Sequence, residues 1–220
     1  MANQKEIVKV IELIKKEVRK YDNSLMDKVS RKTRDPFKVL ISCLLSLRTR
    51  DETTDVIAEN LFKIAETPKD FTKLQLKKLE KIIKPVNYYI TKAKRIKEIS
   101  KIIYERYDSK VPNNREELLK LKGVGAKTSA IVLTYAFNDK NEIPTDTHVN
   151  RIPNRLGWIK TKTPEKTELE LKKIIPQKYW IDINDNFVIF GKNVCTPISP
   201  FCSKCPVNKY CPRINVGTSR

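Results

Sequence analysis

The chain has one histidine, two methionines, two tryptophans and only five glycines among 220 residues. Its apolar runs are short, and none approaches the roughly 18 residues that a membrane span requires. No predicted helix is both strongly basic and strongly apolar, which disfavours attachment to a membrane surface. The N-terminus has neither an apolar secretory core nor an Arg- and Ser-rich transit segment. These absences predict a cytoplasmic chain.

Cysteine is also scarce, and its distribution is uneven. Of the five cysteines, Cys195, Cys202, Cys205 and Cys211 fall within 17 residues, whereas Cys43 lies in an apolar segment and is predicted to be core. An odd count in a cytoplasmic chain argues against a disulfide framework and for a metal site. The row contains a single C-x2-C pair, whereas structural zinc usually has two, so zinc remains the less favoured metal. Four thiolates also suit an iron–sulfur cluster.

The charge of the chain is strongly positive. Lysine and arginine number 45 against 26 acidic residues, which gives a net charge of +19 and a pI near 9.7. Scattered, solvated lysines would explain part of this excess. A polyanionic partner explains it better, because a basic surface gains affinity when it releases the counterions condensed on phosphates.

Helical signals cover nearly the whole chain. Asp35-Pro36, Thr67-Pro68 and Thr163-Pro164 each pair an N-cap residue with proline at the first helical position. Apolar residues recur at helical spacing over 5–21 and 91–107. No strand with alternating apolar and polar residues is convincing, although 187–190 is apolar and ambiguous. The sequence predicts an all-α fold without a flexible linker, and the break at 138–144 is the expected crossing point between two packed lobes.

Two of the five glycines form a hairpin, Gly123-Val124-Gly125. Glycine there permits backbone angles closed to other residues and lets a phosphate approach the main chain. Backbone N–H groups, together with the start of the next helix, would form an anion site that does not read base sequence. Val124 is expected to tuck between the two helices. The alternative is an ordinary helix–turn–helix connection with glycine as a C-cap.

Lys127 follows the hairpin in the first turn of the predicted helix. A helix N-terminus and partial desolvation lower the pKa of a lysine, as an imine-forming amine requires. The alternative is a surface lysine that contacts phosphate. Asp146 stands before a predicted helix over 147–156 and is expected to cap it. A capping carboxylate is held rigidly and stays ionised, so a chemical role is compatible with the cap.

Together, Leu121–Thr128, the helix of small residues after it, Asp146-Thr147-His148 and the cysteine row resemble the endonuclease III family of helix-hairpin-helix DNA glycosylases. The resemblance spans roughly residues 30–212. It implies a two-lobed, all-α fold. A helical barrel domain over 23–140 would carry the hairpin, and a second domain over 1–22 plus 141–220 would carry the cysteine loop.

The resemblance also implies a chemistry and a set of partners. Family members with lysine at this place are both glycosylases and AP lyases, so Lys127 would attack C1′ of a flipped nucleotide and form a Schiff base. Asp146, facing it across the cleft, would assist amine deprotonation and stabilise the oxocarbenium-like sugar. Cys195, Cys202, Cys205 and Cys211 would hold a 4Fe–4S cluster. The implied substrate is double-stranded DNA with oxidised pyrimidines or abasic sites, bound by a monomer associated with the nucleoid.

The match loosens at two loops. The family places a glycine-containing loop and then a bulky residue that wedges into the duplex. Here Asn87 replaces the glycine, and Tyr88 stands at the wedge position, where it would stack on a base or else merely pack on the following helix. Arg48 stands where bacterial relatives usually have glutamine. It would donate to the orphaned partner base, favouring guanine, or else contact a phosphate.

Two rival functions stay open from the sequence. One is a monofunctional mismatch glycosylase that removes adenine or thymine, although such relatives generally lack the hairpin lysine. The other is a non-catalytic module that binds damaged DNA, which would tolerate the loss of Asp146. Lys127 and Asp146 are both in place, so the bifunctional reading is favoured.

Overall fold

The computed structural model describes residues 3–21 and 34–220, and the described residues form helices and connecting loops without a strand. They divide into two compact units, one with residues 34–139 and the other with residues 3–21 and 140–220. The boundary that the sequence suggests between residues 22 and 23 lies outside the described residues. Within them, every helix is too short or too polar to cross a bilayer.

The unit over 34–139 is built from seven described helices around its own core. They are α2 (Pro36–Ser46), α3 (Asp51–Phe62), α4 (Pro68–Lys73), α5 (Leu76–Ile82), α6 (Tyr89–Arg106), α7 (Arg115–Lys120) and α8 (Ala126–Ile131). A π-helical turn, Val132–Ala136, continues α8. Phe37 and Phe71 meet edge to face in the core, with ring centroids 5.2 Å apart.

The other unit has a separate core, formed by α1 (Gln4–Val18), α9 (Thr147–Arg155), α10 (Pro164–Ile174) and α11 (Trp180–Asn193). The helix α1 ends at Val18 rather than near residue 21. The apolar residues whose spacing predicts it are all buried: Ile7, Val10, Ile11, Ile14 and Val18. Lys15 of α1 and Asp182 of α11 form an ion pair at 2.7 Å. Two short 3-10 turns, Cys202–Lys204 and Asn208–Tyr210, follow α11 in the cysteine row.

The helix starts that the sequence predicts are confirmed by their hydrogen bonds. Asp35 accepts from the backbone of Phe37 and Lys38, at 2.8 and 2.9 Å. Thr67 and Asp70 form a full capping box, and Thr163 accepts from the backbone of the third helical residue. These contacts satisfy N–H groups that the first helical turn leaves without partners.

Two details differ from what the sequence predicts, and one ambiguous segment is resolved. Asn114 and Glu117 have the spacing of a capping box, but only Asn114 caps α7: Glu117 accepts from the hydroxyl of Tyr107 at 2.7 Å and from the amine of Lys120. Leu169 is among the apolar residues that predict α10, but it is exposed, and Leu171 carries the buried face of α10. The ambiguous segment 187–190 is helical within α11, where Phe187 and Phe190 are buried in one core. Tertiary packing decides each of these cases.

Candidate functional site

The glycine hairpin joins α7 to α8. Gly123 has φ +95°, a conformation that L side chains rarely adopt, so glycine is required there. The N–H of Val124 donates to the carbonyl of Leu121 at 2.9 Å, which closes the turn. Val124 is 6% exposed and packs in the core between the helices, as predicted.

The outer face of the hairpin is open and positively charged. A Cβ on Gly125 would meet no heavy atom within 4 Å, so the backbone there is accessible to a ligand. A Cβ on Gly123 would lie 2.6 Å from Nη1 of Arg95, which places that guanidinium beside the turn. No local pattern in the sequence points to Arg95, because α6 contributes it from a distant part of the chain.

Lys127 is the second residue of α8, and it is exposed rather than partly desolvated as expected. Gly125 precedes the helix and makes no side-chain cap. The thiol of Cys43 lies in the core within electrostatic range of Lys127. Burial raises the pKa of Cys43 to about 12, and the charge of Lys127 opposes that rise. Lys127 is therefore an exposed residue on a helix whose following residues, Thr128–Ile131, are buried.

Asp146 caps α9 in the other unit. Its Oδ1 accepts from the backbone N–H of His148 at 2.8 Å and of Val149 at 2.9 Å. Both bonds use the same oxygen, and the side chain is partly exposed. The predicted cap is confirmed, and the carboxylate is held at a defined place at the helix start.

Two loops of the unit over 34–139 bring Arg48 and Tyr88 together. The guanidinium carbon of Arg48 lies 6.0 Å from the centre of the Tyr88 ring. Both residues have left-handed backbones, with φ 55° and 59°, and Tyr88 is 63% exposed. Left-handed backbone at a non-glycine residue is uncommon and is often found at functional sites. Asn87, the departure from the family pattern, has no such angle, so glycine is not needed there.

The four clustered cysteines line one cavity in the other unit, together with apolar residues and Arg155. Nη1 of Arg155 donates to the sulfur of Cys195 at 3.3 Å. Its other donors bind the carbonyls of Thr196 and Pro197, both at 2.7 Å. Arg155 is 7% exposed, so this buried cation holds the start of the cysteine loop.

Comparison with known proteins places the chain in a family. Residues 41–177, more than half of the chain, match the model of the HhH-GPD superfamily of base excision DNA repair proteins. Endonuclease III of Thermotoga maritima is 48% identical over 182 residues, which cover 83% of this chain and 85% of that protein. The chain belongs to the endonuclease III family.

Solved structures agree with this assignment. A trapped endonuclease III–DNA covalent intermediate superposes with a TM-score of 0.85 at 30% identity, covering 97% of both chains. A thermostable thymine-DNA glycosylase superposes with a TM-score of 0.82 at 26% identity, covering 95% of this chain and 96% of that one. The all-α fold predicted from the sequence is therefore the fold of the family.

The clustered cysteines fit an iron–sulfur cluster in number and in ligand type. All four line one cavity, and four cysteine thiolates are the usual ligand set of such a cluster. Burial raises the pKa of Cys205 to about 11 and also raises that of Cys211. Backbone N–H groups of Val207 and Arg213 oppose this and favour the thiolates.

Lys92 is a buried charged residue that no local pattern in the sequence identifies. It lies on the buried stripe of α6 and is 8% exposed. Burial lowers its pKa to about 8. Its amine donates to the carbonyls of Leu45 and Leu47 and to Thr49, so it is committed to the protein rather than available as a nucleophile. The helical spacing places Lys92 beside the apolar stripe of α6, but its residue type predicts a surface lysine, and its partners are too distant in the sequence to be predicted.

Proposed function

We propose that this endonuclease III family protein is a bifunctional DNA glycosylase and AP lyase of base excision repair. It excises damaged bases, with oxidised pyrimidines as the proposed class, and cuts the strand 3′ to the abasic sugar. The observation that carries this proposal is Lys127 itself, an exposed amine at the start of the helix that follows the glycine hairpin. A net charge of +19 supports binding to duplex DNA.

We assign the nucleophile to Lys127. Its neutral amine attacks C1′ of a nucleotide flipped from the duplex, and the C1′–N bond breaks as the base leaves with a proton. The C1′–O4′ bond then breaks as water protonates O4′, which gives an iminium. Water takes a proton from C2′, and the 3′-phosphate departs in the β-elimination. Hydrolysis of the imine frees the amine. The lysine therefore serves both the base-removal step and the strand-cutting step.

We assign the carboxylate role to Asp146. Its backbone contacts use Oδ1. An ionised carboxylate stabilises the positive charge that develops on the sugar as the base departs, and it accepts a proton from the attacking amine. Capping and catalysis are thereby served by one rigid group.

The phosphate backbone is assigned to the hairpin. The main chain at Gly123, Val124 and Gly125 is proposed to contact one phosphate, helped by the open face at Gly125 and the charge of Arg95. Arg48 and Tyr88 are proposed to enter the duplex at the lesion, where Tyr88 stacks and Arg48 donates to the unpaired base. The protein is also proposed to be cytoplasmic, where DNA binding would place it on the nucleoid.

Borohydride trapping tests the proposed function. The protein is incubated with a duplex that has a single abasic site, and sodium borohydride reduces any imine to a stable covalent adduct. A trapped adduct and a 3′ product with the mobility of a β-elimination end are expected. A sample that binds the duplex and gives no adduct would overturn the lyase assignment. It would favour a monofunctional glycosylase, the reading that the thymine-DNA glycosylase likeness supports.

We further propose that Cys195, Cys202, Cys205 and Cys211 hold a 4Fe–4S cluster. Its contribution when bound is to fix the loop over 195–211, whose residues Lys204 and Lys209 would face DNA. Protein purified without oxygen is expected to absorb broadly at about 400 nm, and Cys205→Ser to lose that absorbance. Cys43→Ala, which alters a cysteine buried in the other core, is the matched control and should retain it. A colourless native protein that contains zinc would contradict the proposal.

A further inference from the structure

The buried amine of Lys92 connects the end of one helix to the loop that follows it. It donates to the carbonyl of Leu45 at 2.6 Å, to that of Leu47 at 2.7 Å and to Oγ1 of Thr49 at 3.0 Å. An ammonium has three N–H donors, and all three are used here. Since α2 ends at Ser46, Leu45 belongs to the helix, and the other two acceptors flank Arg48 in the loop. Lys92 therefore fixes the loop backbone on both sides of Arg48.

Asn87 attaches the second loop to the first. Its backbone N–H donates to Oγ1 of Thr49 at 3.2 Å, and its side-chain amide donates to the carbonyl of Arg48. Thr49 thus accepts from both Lys92 and Asn87. One hydrogen-bonded cluster, formed by Thr49, Asn87 and Lys92, joins the two loops.

Arg48 and Tyr88 are the immediate sequence neighbours of this cluster. Arg48 precedes Thr49 and Tyr88 follows Asn87, and both have left-handed backbone angles. Such backbone angles persist only where surrounding contacts impose them. The cation–ring distance of 6.0 Å between the two side chains depends on both loops at once. A loop released from the cluster would relax toward commoner angles and change that distance.

We propose that Lys92 is a positioning residue that holds Arg48 and Tyr88 at the spacing needed to recognise a lesion. This inference rests on the proposed function, because it gives the two loops their role in reading the space left by an extruded nucleotide. Arginine reads the paired acceptors of a purine only in a defined orientation. Lys92 itself contacts protein oxygens, and its effect on DNA passes through the two loops.

The same helix provides a matched control. Lys97, five residues further along α6, donates to the carbonyls of Phe71, Thr72 and Leu74 at 2.8, 2.8 and 2.6 Å. It therefore secures the end of α4 much as Lys92 secures the end of α2. Lys92→Met and Lys97→Met each remove one amine and three hydrogen bonds of the same kind. Only Lys92 is bonded to the loop that carries Arg48.

The test compares binding of the native chain and the two variants to two duplexes. One contains a tetrahydrofuran abasic analogue opposite guanine, which cannot form an imine, and the other is undamaged. Lys92→Met is expected to lose about tenfold in its preference for the abasic duplex, as small displacements of binding groups do. Its affinity for undamaged DNA should stay unchanged, and Lys97→Met should keep the native preference. In a third duplex, with 2-aminopurine in place of the guanine opposite the analogue, binding should change the fluorescence with the native chain and Lys97→Met but not with Lys92→Met.

Each outcome is decisive. Equal losses of preference in the two variants would make Lys92 a structural residue only and overturn the inference. If Lys92→Met does not fold, Asn87→Ala takes its place, since Asn87 is exposed and its amide holds the carbonyl of Arg48. A native-like preference in that variant would also overturn the inference. A native chain without any preference for the abasic duplex would instead indicate failure of the proposed function.

Discussion

Lys127→Ala is expected to give no trapped adduct with abasic DNA and to cut the strand at least about 10³-fold more slowly, as the loss of a covalent nucleophile does. The substitution should leave the fold intact. Lys127 is exposed at the second position of α8, and alanine is the most favourable residue in a helix. Borohydride trapping and gel analysis of strand cleavage measure the two effects on the same samples.

Binding to DNA separates a chemical role of Lys127 from a phosphate contact. Removing one of 45 basic residues should weaken duplex binding only slightly. The slope of log affinity against log salt concentration should fall by about one. Lys122→Ala is the matched control, because Lys122 is an exposed lysine on the other side of the hairpin. It should lose the same charge while keeping the adduct. Equal activities for the two variants would reduce Lys127 to a phosphate contact.

A residual adduct in Lys127→Ala would point to another amine. Lys92 is the first alternative nucleophile to consider, because burial lowers its pKa to about 8. A lowered pKa is one of the features of a nucleophilic lysine. Its amine, however, donates to three oxygens and lies in the protein interior. A double variant with Lys92→Met identifies the source of such an adduct, and the geometry predicts that Lys92 contributes none.

Asp146→Asn is expected to slow base release and strand cleavage by at least about 10²-fold without a matching loss of stability. Asparagine caps a helix as well as aspartate does. The two bonds to the N–H groups of His148 and Val149 should therefore persist through the amide oxygen. The substitution removes the negative charge alone. Single-turnover excision assays measure the rate, and thermal unfolding measures the stability.

Asp146→Ala provides the comparison, because it removes both the charge and the cap. Loss of an N-cap costs about 1 kcal/mol, which corresponds to a fall of about 2–4 °C in Tm for a chain of this size. The two variants should thus be equally inactive and differ in Tm. If Asp146→Asn retained native activity, the aspartate would be a cap only, and the non-catalytic reading of this position would gain support.

Local signals in the sequence were sufficient for the helix starts and for the hairpin. Asp35-Pro36 and Thr67-Pro68 begin helices through contacts within three or four residues. Such contacts depend little on the rest of the fold, so their residues identify them. The same holds for Gly123, whose positive φ belongs to a tight turn. Family resemblance, rather than periodicity, carried the inference from these elements to DNA repair.

Contacts between distant segments could not be predicted from such local signals. Lys92 reads as a surface lysine by residue type, yet it is buried against oxygens 43 to 47 residues earlier in the chain. Arg95 beside Gly123 is a similar case. In both cases the partners are far apart in the sequence, and only the packing of separate helices brings them together.

The sequence by itself determined the helical class, the helix caps at Asp35 and Asp146, and the residues available for chemistry, since short-range hydrogen bonding and residue type suffice for these. Only the tertiary structure decided that Arg48 and Tyr88 stand side by side with left-handed backbones. Spatial neighbourhood depends on how separate helices pack. A buried amine such as that of Lys92 is tolerated only where that packing supplies oxygens for all of its donors.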